Sequence, residues 1–288
     1  MKARARGFTL VEVAVAVFIV ALLMSSLMYT LSAQSDQRAI EETRRRLQNA
    51  RELLLGYAAV NGRLPCPARC SAWPGCATGA YTTSDEVRDA VTGKCTGGGV
   101  DDYYGGTLSA GPPTVTGGLL PAATIGFPQT DARGYAVDTW GNRIRYAVAK
   151  TRAPGTCGPG DPPFANALWT NTANLKIWGM ACQPNDLLIC KSSAGITSST
   201  CGGGANQIMT PSLVVAVVFS TGKNGSIYAT GAGTDELANL DGAGTADPIF
   251  VYHAPQPSGA TGGEFDDQLT WVTVGELMGK LVAAGRLP

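Results

Sequence analysis

The chain opens with a basic heptapeptide followed by a long apolar run, and residues 1–23 read MKARARGFTLVEVAVAVFIVALL. From Phe8 to Leu31 the run has 24 residues, lacks glycine and proline, and carries one charged side chain, that of Glu12. A helix rises about 1.5 Å per residue, so this run is long enough to cross a bilayer. The basic residues before it predict a cytoplasmic N-terminus, with the chain after residue 33 on the other side of the membrane.

Glu12 is the unusual residue of this run. A secretory signal peptide has an apolar core of about 7–15 residues and does not need an acid, although Thr30-Leu31-Ser32 would serve as its cleavage site. An uncleaved membrane anchor is the other ordinary explanation, and an acid weakens an anchor. Because a carboxylate inside a membrane helix is costly, Glu12 indicates a functional role.

The hexapeptide GFTLVE, residues 7–12 after a short basic leader, resembles the leader junction of type IV prepilins and of the pseudopilins of type II secretion. The resemblance implies that a membrane-embedded prepilin peptidase cuts between Gly7 and Phe8 and methylates the new amino group of Phe8. It also implies an assembly contact, in which the Glu12 carboxylate neutralises the Phe8 ammonium of a neighbouring subunit. At roughly 4 Å and an effective dielectric constant of about 20, such a pair attracts by about 4 kcal/mol before desolvation.

The helix is predicted to continue to Asn61 and to end before Gly62 and Pro65. Its second half carries a stripe with alternating steps of three and four residues, which predicts packing on a globular domain. We therefore expect a leader at 1–7, a transmembrane and amphipathic helix at 8–61, and a periplasmic or extracellular β-domain at 62–288. The run 44–46, three arginines, is either a solvated face or a contact between subunits. The stripe consists of Ile40, Thr43, Leu47, Ala50, Leu54 and Tyr57.

The body of the chain predicts an α+β fold, with the long helix packed on an antiparallel β-sheet with disulfide-stapled loops, and the resemblance implies that this fold is pilin-like. Residues 138–142, Asp-Thr-Trp-Gly-Asn, resemble a segment of the major pseudopilin of type II secretion. This resemblance and the residue types suggest a structural turn, with Trp140 in the core and with Gly141 and Asn142 at positive φ. The apolar patterns predict strands at 144–148, 213–219, 249–253 and 268–274, a further strand at 226–229, and a closing helix at 275–284.

Eight cysteines indicate an oxidising compartment and a disulfide framework. They allow 105 pairings, or nine if each group of four pairs internally. A turn at 184–186 favours the pair Cys182–Cys190. Zinc is the competing explanation for Cys66, Cys70 and Cys76, but no histidine assists. The disulfide candidates are Cys66, Cys70, Cys76, Cys95, Cys157, Cys182, Cys190 and Cys201.

Several classes of function are disfavoured. The 22 basic and 22 acidic residues balance, and no basic stripe suggests nucleic acid as a partner. His253 is the sole histidine, and no nucleophile elbow, P-loop or zinc signature occurs, so we expect neither an enzyme nor a catalytic residue.

Calcium is the one cofactor that the sequence suggests. Acidic and amide side chains recur in a glycine-rich connection and again near the last strand, and calcium takes six to eight oxygen ligands from such loops. Pseudopilins of type II secretion can hold calcium in a loop near the C-terminus, so the resemblance supports this hypothesis, whereas a solvated loop with turn-forming aspartates is the alternative. The candidates are Asp235, Glu236, Asn239, Asp241, Asp247, Asp266 and Asp267.

The sequence thus predicts a structural subunit, a minor pilin or pseudopilin of a type IV pilus or type II secretion filament. Its partners would be prepilin peptidase, other pilins or pseudopilins and an inner-membrane assembly platform. It would lie in the inner membrane with a single span and a periplasmic domain, and reach a filament or the cell surface after assembly. The alternatives are a membrane-anchored periplasmic binding protein or hydrolase with an uncleaved helix, and an adhesin domain on a pilin stem.

Overall fold

The computed structural model describes residues 9–68, 84–88, 95, 118–149, 168–179, 181–184, 186–197, 200–225, 233–239 and 249–287, with only the backbone for residues 25–33. The helices are α1 (Leu10–Asn61), α2 (Ala122–Ile125), α3 (Thr172–Trp178), α4 (Thr234–Asn239) and α5 (Val274–Ala283). The strands are β1 (Arg145–Val148), β2 (Leu188–Cys190), β3 (Gln207–Met209), β4 (Val214–Ser220), β5 (Ile249–Val251) and β6 (Gln268–Thr273).

The chain divides into two compact units, Met1–Glu42 and Thr43–Pro288. In the first unit, the described side chains of residues 10–24 are exposed and, apart from Glu12, uncharged. No helix in the part of the chain that the structure describes combines the length and the apolar character needed to cross a membrane. Membrane anchoring of residues 8–31 therefore stays a prediction.

The C-terminal part of α1 supplies one wall of the core of the second unit. Thr43, Leu47, Ala50 and Leu54 are buried, as their spacing predicts, while Tyr57 is half-buried. The helix ends where Gly62 adopts a φ of +69° and donates its amide to the Ala58 carbonyl. A left-handed residue at this position is a common helix stop.

The main sheet has the order β1-β4-β6, and both of its pairings are antiparallel. All seven residues of the central strand β4 are buried, which explains its continuous apolar sequence. The helix α1 contacts the edge strand β6, because Arg51 Nε donates to the Trp271 carbonyl over 2.9 Å.

A second sheet of the order β3-β2-β5 departs from the predicted architecture. Its β2–β3 pairing is antiparallel, but β5 pairs with β2 in parallel. The expectation of a purely antiparallel fold is therefore wrong for this sheet. The chain passes through β3, β4 and α4 between β2 and β5, and this long crossover permits the parallel pairing.

Two disulfides are present among the described residues, Cys66–Cys95 and Cys190–Cys201. The predicted pair Cys182–Cys190 is wrong, because Cys190 bonds to Cys201 and Cys182 is itself in another disulfide. Cys66 cannot serve as the zinc ligand of the competing explanation, because its sulfur is bonded to that of Cys95. The remaining candidates, Cys70, Cys76 and Cys157, lie outside the described residues, as does the predicted strand 226–229.

Candidate functional sites: the N-terminal motif and an acidic cluster

Glu12 takes part in a capping box at the start of α1. Its Oε2 accepts hydrogen bonds from the backbone amide of Thr9 (2.8 Å) and from the Thr9 hydroxyl (2.9 Å). The Thr9 Oγ1 in turn accepts the Glu12 amide. The reciprocal pair satisfies two groups that a helix start otherwise leaves without partners. Gly7 and Phe8, the predicted processing residues, lie outside the described residues.

The turn 138–142 is organised around a buried carboxylate rather than around its tryptophan. Oδ1 of Asp138 accepts the backbone amides of Trp140 and Asn142, and Oδ2 accepts the Ser220 hydroxyl over 2.6 Å. Burial raises the pKa of Asp138, and these hydrogen bonds oppose that rise. Trp140 is only half-buried, so its predicted place in the core is wrong. Gly141 has the predicted positive φ, +85°.

The arginine run 44–46 does not act as a single solvated face. Arg46 donates to the carbonyls of Val137 and Asp138 over 3.1 and 2.8 Å, and so holds the turn 138–142 against α1. Thr43 supports the same turn through its hydroxyl, which lies 2.7 Å from that of Thr139. These contacts give Thr43 a structural reason to interrupt an otherwise apolar stripe.

Three of the seven calcium candidates come together in the structure. Ligand oxygens of Glu236, Asp266 and Asp267 all lie within 4.8 Å of one another, and we call these residues the acidic cluster. Glu236 lies on α4, a six-residue helix where the sequence predicts a loop, and the two aspartates immediately precede β6. Asp241 and Asp247 lie outside the described residues.

Glu236 is the hub of the acidic cluster. Its side chain is buried, and Oε1 accepts the backbone amide of Asp266 over 2.7 Å. Oε2 accepts the side-chain amide of Asn224 and the backbone amide of Gly233. The carboxylate therefore ties α4 to the turn after β4 and to the segment before β6.

Asp266 and Asp267 each have one buried carboxylate oxygen, Oδ1, for which the described residues supply no hydrogen-bond partner. Burial, reinforced by the Glu236 carboxylate, raises the pKa of Asp266 to about 7, although the backbone amides of Lys223 and Asn224 oppose the rise. Burial also raises the pKa of Asp267 well above its usual value. Both aspartates therefore hold their protons more strongly than free aspartates do, because burial disfavours their charged forms.

The other two described candidates have different roles. Asn239 Nδ2 donates to Asp267 Oδ2 over 2.8 Å, so Asn239 contacts the acidic cluster as a hydrogen-bond donor. The carboxamide of Asn239 accepts the Val251 amide over 2.6 Å and donates to the Val251 carbonyl over 3.0 Å, as a neighbouring strand would. Asp235 lies 3.0 Å from His253 Nε2 and accepts the Ser193 amide over 2.7 Å. His253 also stacks on Phe265, with ring centroids 3.8 Å apart, so its described contacts are structural.

Sequence reasoning missed two features that a simple pattern could have found. The spacing Thr-x-x-Glu occurs at 9–12 and at 273–276, and both are capping boxes in the structure. It also missed Glu86, because the bidentate ion pair of that residue with Arg63 joins segments with no local sequence signal.

Comparison with known proteins supports the N-terminal motif. Residues 2–28 match the family described as the prokaryotic N-terminal methylation motif. This is the prepilin-type signal of type IV pilins and pseudopilins, so the resemblance inferred from GFTLVE is confirmed. No curated protein and no solved structure matches the chain.

Proposed function

We propose that this chain is a structural filament subunit, a minor pilin or pseudopilin of a type IV pilus or a type II secretion system. The observation that carries the proposal is the methylation motif at residues 2–28. A body of about 225 residues after the helix is bulky for a repeating subunit, which favours a minor, tip or initiating role. The identity of the neighbouring genes would distinguish a surface pilus from a secretion pseudopilus.

The proposed mechanism is assembly through the N-terminal helix. The helix is held in the inner membrane with the leader in the cytoplasm and the domain in the periplasm. Prepilin peptidase removes residues 1–7 and methylates the amino group of Phe8. The assembly platform then extracts the subunit, and Glu12 meets the Phe8 ammonium of a neighbour. Only Oε2 of Glu12 is engaged by Thr9 in the described residues, so Oε1 can accept this second partner.

The first test is a mass spectrum of the N-terminal peptide from protein recovered in its native host. A peptide that begins at N-methylated Phe8 supports the proposal. A start at Met1 or near Ala33 contradicts it and points to an anchored or secreted periplasmic protein.

A second test separates the filament subunit from the anchored binding protein or hydrolase. The Glu12→Ala variant is expected to accumulate in the membrane and to assemble poorly, whereas Glu41→Ala, an exposed acid further along α1, should assemble normally. Normal assembly of the Glu12 variant would contradict the filament proposal. The described residues offer the binding-protein alternative one cavity, of about 230 Å³, between α1 and β6. This cavity is smaller than the roughly 300–1,000 Å³ usual for small-molecule sites.

We also propose that the acidic cluster binds calcium. Oxygens that share one calcium ion lie 2.3–2.6 Å from it and hence up to about 5 Å apart, which the cluster satisfies. Among the residues that the structure describes, none donates a hydrogen bond to the buried Oδ1 atoms of Asp266 and Asp267, which leaves both atoms able to coordinate a cation. A divalent cation would also offset the mutual repulsion of the three carboxylates.

Calcium titration of the chelated protein tests this site. At about 100 times the dissociation constant, calcium would stabilise the fold by about 2.7 kcal/mol, or about 5–11 °C in melting temperature for a domain of this size. The Asp267→Asn variant should lose this response without becoming less stable when calcium is absent, because it removes a buried acid. Asp85→Asn, at an exposed acid away from the cluster, should behave as the wild type. No heat and no change in melting temperature would refute the site.

A further inference from the structure

We infer that the short helix α4 couples the acidic cluster to the segment 191–197, so that a cation in the cluster orders this surface segment. The inference rests on the proposed calcium site. It starts from two neighbouring acids on α4 that hold different parts of the chain: Glu236 belongs to the cluster, and Asp235 binds the segment 191–197.

The segment 191–197 begins immediately after β2 and lies within the loop that the Cys190–Cys201 disulfide closes. The carboxamide of Asn206, which follows the disulfide-closed loop, supports it by accepting the Ser192 amide and donating to the Ser192 carbonyl. The Asp235 carboxylate supports it from outside, accepting the Ser193 amide over 2.7 Å. Asp235 is thus the described link between this segment and α4.

The position of α4 depends on its side-chain contacts. A helix of six residues is too short to be stable on its own. At one end Glu236 holds the helix to the segments before β6 and after β4, and at the other Asn239 holds it to β5. The contacts of Glu236 include the acids whose repulsion a cation would relieve.

Cation binding would therefore draw Glu236 toward Asp266 and Asp267 and restrict α4. Because Asp235 is the adjacent residue, the same restriction would hold its carboxylate under the Ser193 amide. Coupling between two sites is reciprocal, so an ordered segment 191–197 would also favour cation binding. His253 reinforces the link, since its Nε2 lies 3.0 Å from the other Asp235 oxygen and its ring stacks on Phe265, next to Asp266.

Hydrogen exchange read by mass spectrometry on the full chain, solubilised in detergent, tests the coupling. Saturating calcium is expected to slow exchange in peptides that cover 191–197 by about 5- to 30-fold, which corresponds to about 1–2 kcal/mol of added protection against opening. Calorimetry on the same sample reports calcium binding separately. Calcium binding without slower exchange in 191–197 would overturn the coupling and leave the calcium site standing. Absence of both would overturn the calcium site and the coupling together.

Two variants at Asp235 locate the link. Asp235→Asn keeps an oxygen that accepts the Ser193 amide and should retain the slower exchange. Asp235→Ala removes the acceptor and should bind calcium with the same stoichiometry but without the slower exchange. Asp85→Ala, at an exposed acid away from the cluster, is the control for the loss of a carboxylate. Slower exchange that persists in Asp235→Ala would overturn the assignment of the link to Asp235.

Discussion

Replacing Glu86 by glutamine is expected to destabilise the second unit by about 3 kcal/mol. The Glu86 carboxylate accepts two hydrogen bonds from the Arg63 guanidinium, at 2.8 and 2.6 Å. It also accepts the Cys66 amide and the Tyr57 hydroxyl, each over 3.0 Å. It therefore ties the end of α1 to the first disulfide, with only 17 % of its side chain exposed.

The magnitude follows from what the substitution leaves behind. Removing one member of a buried ion pair costs roughly 3–5 kcal/mol, because the other charge stays buried without its partner. Arg63 is buried, but Glu86 is partly exposed, so the lower end of that range applies. For a domain of this size, 1 kcal/mol shifts the melting temperature by about 2–4 °C, which predicts a fall of about 6–12 °C.

The pH dependence gives the prediction a second signature. Burial works to raise the pKa of Glu86, but the Arg63 guanidinium and the Cys66 amide outweigh it and hold this pKa below its usual value of 4.5. The resulting stabilisation is present above the unfolded pKa and is lost as the pH falls through the lower, folded pKa. The difference between the wild type and Glu86→Gln should therefore shrink in that acidic range.

Thermal unfolding followed by circular dichroism, with Asp85→Asn as the control, measures both signatures. Asp85 is the exposed neighbour of Glu86, and its loss should change the melting temperature by less than about 2 °C. If Glu86→Gln also melted within about 2 °C of the wild type near neutral pH, Glu86 would not be the linking residue that its contacts indicate.

Three other perturbations are expected to have distinct effects. Serine substitution of the Cys190–Cys201 pair should lower the free energy of unfolding in urea by about 3 kcal/mol, given a sequence separation of 11, and an unchanged midpoint would argue against this. Gly222→Ala should lower the free energy of unfolding by more than about 2 kcal/mol, because the φ of Gly222 is +63° and a methyl group there would overlap the Asp266 carboxylate. Gly126→Ala, at a φ of +71° but with open space around it, should lower it by about 1 kcal/mol. Equal melting temperatures of the two variants would contradict this difference. Burial raises the pKa of Asp138, so the wild type should lose stability as the pH rises from the unfolded to the folded pKa of that acid. Asp138→Asn does not titrate and should therefore gain stability relative to the wild type over this range. A constant difference in melting temperature across the range would contradict this.

The spacing of apolar residues correctly predicted two elements of the fold, because that spacing shows which residues are buried. The stripe from Thr43 to Leu54 forms a buried face of α1, and the uninterrupted apolar run of β4 occupies the centre of its sheet. The N-terminal motif was readable for a different reason, since its information lies in six consecutive residues.

Features that depend on contacts across the chain could not be predicted. The helix α4 has the sequence TDELAN, which has no apolar periodicity, so only its tertiary contacts define it as a helix. A disulfide pairing depends on distance in the fold, and the turn at 184–186 gave a misleading local preference for Cys182–Cys190. The prediction that Trp140 lies in the core was wrong, because the Asp138 carboxylate occupies the interior of this turn.

The carboxamide of Asn239 has a consequence for a protein that is proposed to stand among many copies of itself. By bonding both the amide and the carbonyl of Val251, it closes part of the outer edge of β5. An open strand edge recruits strands from other chains and seeds aggregation, above all at high local concentration. A single side chain thus blocks this portion of the edge against pairing with a strand of another chain.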